Sequence, residues 1–173
     1  MKSTKIKLVI GERNVVLGHR SIAQVIDCIE DIQENAKVFE ILAISSNLRE
    51  VKKCISLKDS LTRKTVKSLL KENDHETLYN LLRNHKNAKF IKERELIRIL
   101  QNGDIVHAES IADNLETYER CNIYRLAKIL SKHPDPSVRM TLSDRWHTPK
   151  KILLTLTKDV DINVSNAAKR CLE

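Results

Sequence analysis

Five apolar stretches, starting at Val38, Val66, Leu96, Leu126 and Leu153, recur 28, 30, 30 and 27 residues apart. Each is a helical stripe running into a polar turn that ends in Asp or Asn: VFEILAISSN, VKSLLKEND, LIRILQNGD, LAKILSKHPD and LLTLTKDVD. A second amphipathic segment follows each one: LREVKKCIS, HETLYNLLRN, IVHAESIADN, PSVRMTLSDR and INVSNAAKRC. A unit of two short helices cannot bury its apolar face alone. A period near 28 therefore predicts units stacked side by side around a shared core, an α-solenoid.

One long-range match within the chain needs no gap. Val51 to Asp74 overlays Val138 to Asp161 at a constant offset of 87, pairing Ser56 with Ser143, Leu69 with Leu156 and Asp74 with Asp161. Asp74, Asp104, Asp135 and Asp161 each precede a second segment, where a carboxylate can accept from the unpaired N–H groups of a first helical turn. Asn47 stands in the same place in the first unit, and Asn102-Gly103 supplies a helix stop. All three prolines fall in HPDPSVRMTLSDRWHTPKK. Asp135-Pro136 and Thr148-Pro149 each read as an N-cap followed by the first helical residue, the position where proline is tolerated; Pro134 closes the preceding helix.

Composition narrows the alternatives. Only three glycines and three prolines occur in 173 residues, too few turns for a β-sandwich or a βαβ fold, and aromatics make up 3%. Leu, Ile, Val and Ala must fill the core. No apolar run is long enough to span a membrane, and the start, MKSTKIKLVIGERN, lacks a small-residue cleavage site, so it makes a poor signal peptide. Cys28, Cys54, Cys121 and Cys171 are too scattered for a metal site and are expected as reduced, buried thiols in a cytoplasmic protein. Residues 1–35 differ from the rest. KIKLVI-GERN-VVLG is expected to form a short β-hairpin around Gly11 to Asn14. A helix opened by Ser21, with Ile22, Val25, Ile26, Ile29 and Ile32 on one face, is expected to cap the first unit.

The stretch HPDPSVRMTLSDRWHTPKKILLTLTKDVDINVSNAAKR resembles the leucine-rich repeat variant family, a HEAT-like α-solenoid. The family's D-P-x-V-R step corresponds to Asp135-Pro136-Ser137-Val138-Arg139 and its T-P step to Thr148-Pro149. Its L-L-x-x-L-x-x-D-x-D step corresponds to Ile152-Leu153-Leu154 with Leu156, and to Asp159 and Asp161. The resemblance is clear over residues 126–173 and faint over 38–125. It implies an all-α, right-handed superhelix, here of about five two-helix repeats over residues 36–173 behind an N-terminal cap at 1–35. The family's founding member carries an iron–sulfur cluster on N-terminal cysteines. This chain has no such cysteine group, and no cofactor is expected.

Catalysis finds little support. Gly11, Gly18 and Gly103 are isolated, and HExxH, CxxC and nucleophile-elbow motifs do not occur. The six histidines fall mostly at helix starts or turns and read as solvated or capping residues. Asp159 and Asp161 would serve as an acid–base pair or, more simply, as turn and cap residues. Charge says more. The net charge is +8, and residues 49–98 hold fourteen basic and seven acidic side chains. At 100° per residue, Arg63, Lys67, Lys71 and Lys64 fall at about 0°, 40°, 80° and 100° on one helix. Lys86, Lys89, Lys92, Arg94 and Arg98 add charge in the next unit, diluted by Glu93 and Glu95, and Arg49, Lys52 and Lys53 add more in the preceding helix, for a strip spanning three helices. Such a strip is either a solvated face or a binding surface. Trp146, between Arg145 and His147, either packs over a helix joint or, with Arg145 and Lys150, anchors an interface. The sequence therefore predicts a non-enzymatic interaction protein that binds an acidic protein, with DNA or RNA as the alternative partner and a HEAT-like DNA glycosylase third.

Overall fold

A computed structural model describes residues 7–10, 13–16, 22–30, 35–59, 61–72, 74–102 and 104–173. Two short strands, β1 (Lys7–Ile10) and β2 (Arg13–Val16), pair antiparallel with Ile10 opposite Arg13. Arg13 and Asn14 thus belong to a strand and not to the turn; Gly11 and Glu12 lie outside the described residues. The rest is α-helical. Helix α1 (Ile22–Glu30) buries Val25, Ile26 and Ile29 as its stripe predicts, while Ser21 and Ile32 lie outside the described residues.

Helix pairs follow: α2 (Asn35–Ser45) and α3 (Arg49–Ser56), then α4 (Arg63–Lys71) and α5 (His75–Arg83). After the single turn α6 (His85–Ala88) come α7 (Glu93–Gln101) and α8 (Ile105–Asp113), then a 3₁₀ turn at Leu115–Thr117. The last pairs are α9 (Ile123–Leu130) with α10 (Pro136–Ser143), and α11 (Lys150–Leu156) with α12 (Ile162–Leu172). The first helices of the pairs start 28, 30, 30 and 27 residues apart, the spacing of the sequence stripes.

Packing sorts the helices into two rows. In the second row α1 packs on α3, α3 on α5, α5 on α8, α8 on α10 and α10 on α12. In the first row α2 packs on α4, α7 on α9 and α9 on α11, whereas α4 and α7 barely touch. The core runs between the rows. Phe39, Leu69, Leu96, Leu126 and Leu153 come from the first row, and Ile55, Leu81, Ile111, Leu142 and Ala168 from the second. Tyr118, fully buried, donates to the carbonyl of Leu82 at 3.3 Å. Among the described residues, no helix is long and apolar enough to cross a membrane.

The aspartates cap as their positions require. Asp74 accepts from the amide of Thr77, Asp104 from His107, Asp135 from Ser137, and Asp161 from Asn163 and Val164. Pro136 occupies the first helical position. Two expected caps are corrected. Leu48, not Asn47, precedes α3 and gives no side-chain cap; Ser46 Oγ accepts its amide instead. Pro149, not Thr148, is the N-cap of α11, and the buried Thr148 hydroxyl donates to Leu142 O at 2.7 Å. That buried hydroxyl needs an acceptor and finds it in a carbonyl near the end of α10. Gly103 lies outside the described residues.

Arg139 of the D-P-x-V-R stretch ties three segments together. Its Nε and Nη2 donate to Asp159 at 2.8 and 2.9 Å, and Nη1 donates to the carbonyls of His133 and Pro134. Both partners are nearly buried. Asp159 also accepts the amide of Asp161, so the pair fixes the cap of the last helix. The Arg139 guanidinium holds the Asp159 carboxyl below its ordinary 3.8. Its stabilisation is therefore complete above that value and is lost as pH falls through the lower folded value. Asp159→Asn leaves a buried guanidinium unpaired and is expected to cost about 3–5 kcal/mol, measured by urea unfolding at pH 7. Asp161→Asn, which keeps a capping oxygen, is expected to cost a few tenths.

Candidate anion-binding cleft

Thr62 caps α4 by accepting the amide of Thr65. That sets the helix phase so that Val66, Leu69 and Leu70 face the core and Arg63, Lys67 and Lys71 face out. In α7 the same division buries Leu96, Ile99 and Leu100 and turns Arg94 outward, with Arg98 half-buried. Between these helices the connection from α5 is held down from behind: Asn84 caps α6 and donates to Asp59, and Asn87 donates to Lys58 O at 2.7 Å. This brings Phe90 and Lys92 up between α4 and α7.

The gap between the two helices is a cleft of about 440 Å³, lined by Arg63, Lys67, Lys71, Lys92, Arg94 and Arg98 around Leu70, Phe90 and Glu95. Glu95 lies 3.3 Å from both Arg94 and Arg98, and Arg98 reaches across to donate to Leu70 O at 3.0 Å. None of the described carboxylates pairs with Arg63, Lys67, Lys71 or Lys92. Six cations facing one carboxylate repel one another, and they concentrate positive potential in a concave site where field lines focus.

The cleft sits in a wider asymmetry. First-row helices α2, α4, α7, α9 and α11 carry eleven Lys or Arg against three Asp or Glu. Second-row helices α1, α3, α5, α8, α10 and α12 carry seven against six. The chain's excess charge therefore lies along one row.

Six of the eight cations singled out from the sequence meet in this cleft. Lys64 turns instead toward Glu40 on α2, at 3.4 Å, and Lys89 stands 5.2 Å over the Phe90 ring. The expected three-helix strip does not form. Helix α3 belongs to the other row, and its cations are paired: Arg49 with Asp74, Lys52 with Glu72 at 2.6 Å and Lys53 with Glu76 at 2.5 Å. Trp146 does not pack over the helix joint. It is 85% exposed, and its ring meets that of His147 edge-on, at 5.6 Å between ring centroids. Beside it Arg145 pairs with Asp113, and Lys150 is exposed.

Asp159 and Asp161 make no acid–base pair, being held as the partner of Arg139 and as a helix cap. Three of the histidines are less solvated than their turn positions suggest. His107 and His133 are buried, and burial pushes the pKa of half-buried His147 down against the pull of Glu116 at 2.7 Å. His107 also stacks near His75, with 4.4 Å between ring centroids, and both lie beside Asp104. This grouping escaped the sequence reading, although both histidines fall in the first turn of second-row helices one unit apart. The four cysteines are half-buried rather than buried; burial raises the pKa of Cys54, Cys121 and Cys171, which keeps these thiols unreactive.

In comparisons with known proteins the chain matches no family model, no curated protein and no solved structure.

A multivalent anion seated in the cleft should relieve the repulsion there. Tripolyphosphate is expected to stabilise the fold by about 2.7 kcal/mol at a hundred times Kd, seen as a thermal unfolding midpoint above that in sodium chloride of equal ionic strength. A triple variant with Arg63, Lys67 and Lys71 changed to Ala should lose this response while being no less stable without the anion.

Proposed function

We propose that the protein is a non-enzymatic binding module, a HEAT-like α-solenoid of five two-helix repeats, whose first helix row engages the phosphate backbone of a nucleic acid. The observation that carries this reading is the cleft between α4 and α7, where six cations meet one carboxylate. The first-row excess extends the same potential beyond the cleft, as a ligand with many regularly spaced charges requires. A phosphate oxygen accepts from both Lys and Arg, and Arg63, Lys67, Lys71 and Lys92 have no competing carboxylate among the described residues.

Aromatic residues make up 3% of the chain, so successive bases find no stacking platform. Binding is therefore to the backbone of a duplex and tolerant of sequence. Half-buried thiols fit a reducing compartment, and the proposal places the protein in the cytoplasm.

A second reading, an acidic protein partner, draws on Trp146. An indole 85% exposed beside Arg145 and Lys150 has the form of an interface anchor. The two readings use different surfaces and separate cleanly.

Fluorescence anisotropy of a labelled duplex, titrated at two salt concentrations, is the test. The logarithm of affinity should fall against log salt by about 0.9 per phosphate neutralised. Lys67→Glu with Lys71→Glu should abolish binding, and Trp146→Ala should leave it unchanged. Absence of binding at low salt would overturn the nucleic-acid reading. Capture of an acidic polypeptide that fails in Trp146→Ala would put the second reading in its place.

A further inference from the structure

Away from the cleft, the second-row helices α5 and α8 bring His75, Asp104 and His107 together. One donor atom of each lies within 4.8 Å of the other two. His75 Nε2 is 3.0 Å from Asp104 Oδ2, and His107 Nδ1 is 3.4 Å from Asp104 Oδ1. Proximity alone would make an ordinary cap with histidines beside it. The other edge of the His107 ring adds the independent observation.

His107 Nε2 lies 2.9 Å from the backbone carbonyl oxygen of His75. A carbonyl can only accept, so Nε2 carries a proton and donates it. The neutral ring is thereby held with its lone pair on Nδ1, and that lone pair faces a carboxylate oxygen. Two lone pairs face each other comfortably only with a cation between them. A ring N–H donated to a backbone carbonyl is also the outer-shell arrangement that orients metal-binding histidines.

The three side chains grade from core to solvent, at 6% exposure for His107, 30% for Asp104 and 56% for His75. An ion held there would keep an outward position for water. Two imidazoles and one carboxylate suit zinc-class ions better than magnesium or calcium. The N-terminal ends of α5 and α8, each about half a positive charge, oppose a cation, and the full charge of Asp104 beside it offsets them.

We propose that His75, Asp104 and His107 form a divalent transition-metal site of the zinc class, linking α5 to α8. The proposal does not rest on the nucleic-acid reading.

Cobalt(II) titrated into the full chain, and then displaced with zinc, tests it. The expected result is a saturable one-to-one visible band without thiolate charge-transfer absorption, lost on adding zinc. Asp104→Asn keeps the helix cap and removes the charged ligand, and His75→Ala removes an exposed ligand without opening the core. Each should weaken cobalt binding by more than the roughly ten- to hundred-fold that loss of an outer-shell partner costs, with the helical circular dichroism unchanged. The absence of a visible band, thiolate absorption, or undiminished affinity in either variant would overturn the site and leave a proton on Nδ1 as the cation between ring and carboxylate.

Discussion

No helix in the described structure exceeds eleven residues, and isolated helices of that length are marginal in water. Every helix here depends on neighbours that lie about one period away in sequence. The polar contacts show the same reach. Lys58 binds Asp27, Asn87 binds Lys58 O, Arg125 binds Glu93, and His107 binds His75 O, at separations of 31, 29, 32 and 32 residues. Contacts this regular tie each helix pair to the next along one continuous core.

Within that scheme the turns decide the direction of each helix. A capping aspartate satisfies amides that a short helix has few other means to pair, and one unpaired buried amide weighs heavily against so small a helix. The C-terminal units add a second device in Arg139, whose guanidinium satisfies two carbonyls and one carboxylate from separate turns. The first unit has neither a capping aspartate nor such an arginine at α3, where Leu48 stands at the cap position and makes no side-chain cap.

Charge follows a different logic from packing. On α3 each cation meets a carboxylate from the turn between α4 and α5 or from α5 itself, and the surface there is close to neutral. On α4 and α7 the cations accumulate around a gap in the stacking, where repulsion works against the fold. Repulsion retained at one point of an otherwise balanced surface, beside a cavity that could hold an anion, is the pattern expected where binding competes with stability.

The sequence by itself determined the helices, their pairing and their spacing, because apolar periodicity and capping chemistry act within a few residues. It also determined which face of α4 carries charge. Tertiary structure alone decided which charges remain unpaired. Lys52 and Lys67 look alike in sequence, yet one lies against Glu72 and the other in the cleft. It alone decided that Trp146 stands in solvent and that His75, Asp104 and His107 converge, since neither follows from local pattern. Electrostatic and ligand chemistry depend on distances between residues some thirty positions apart, and those distances exist only once the rows have stacked.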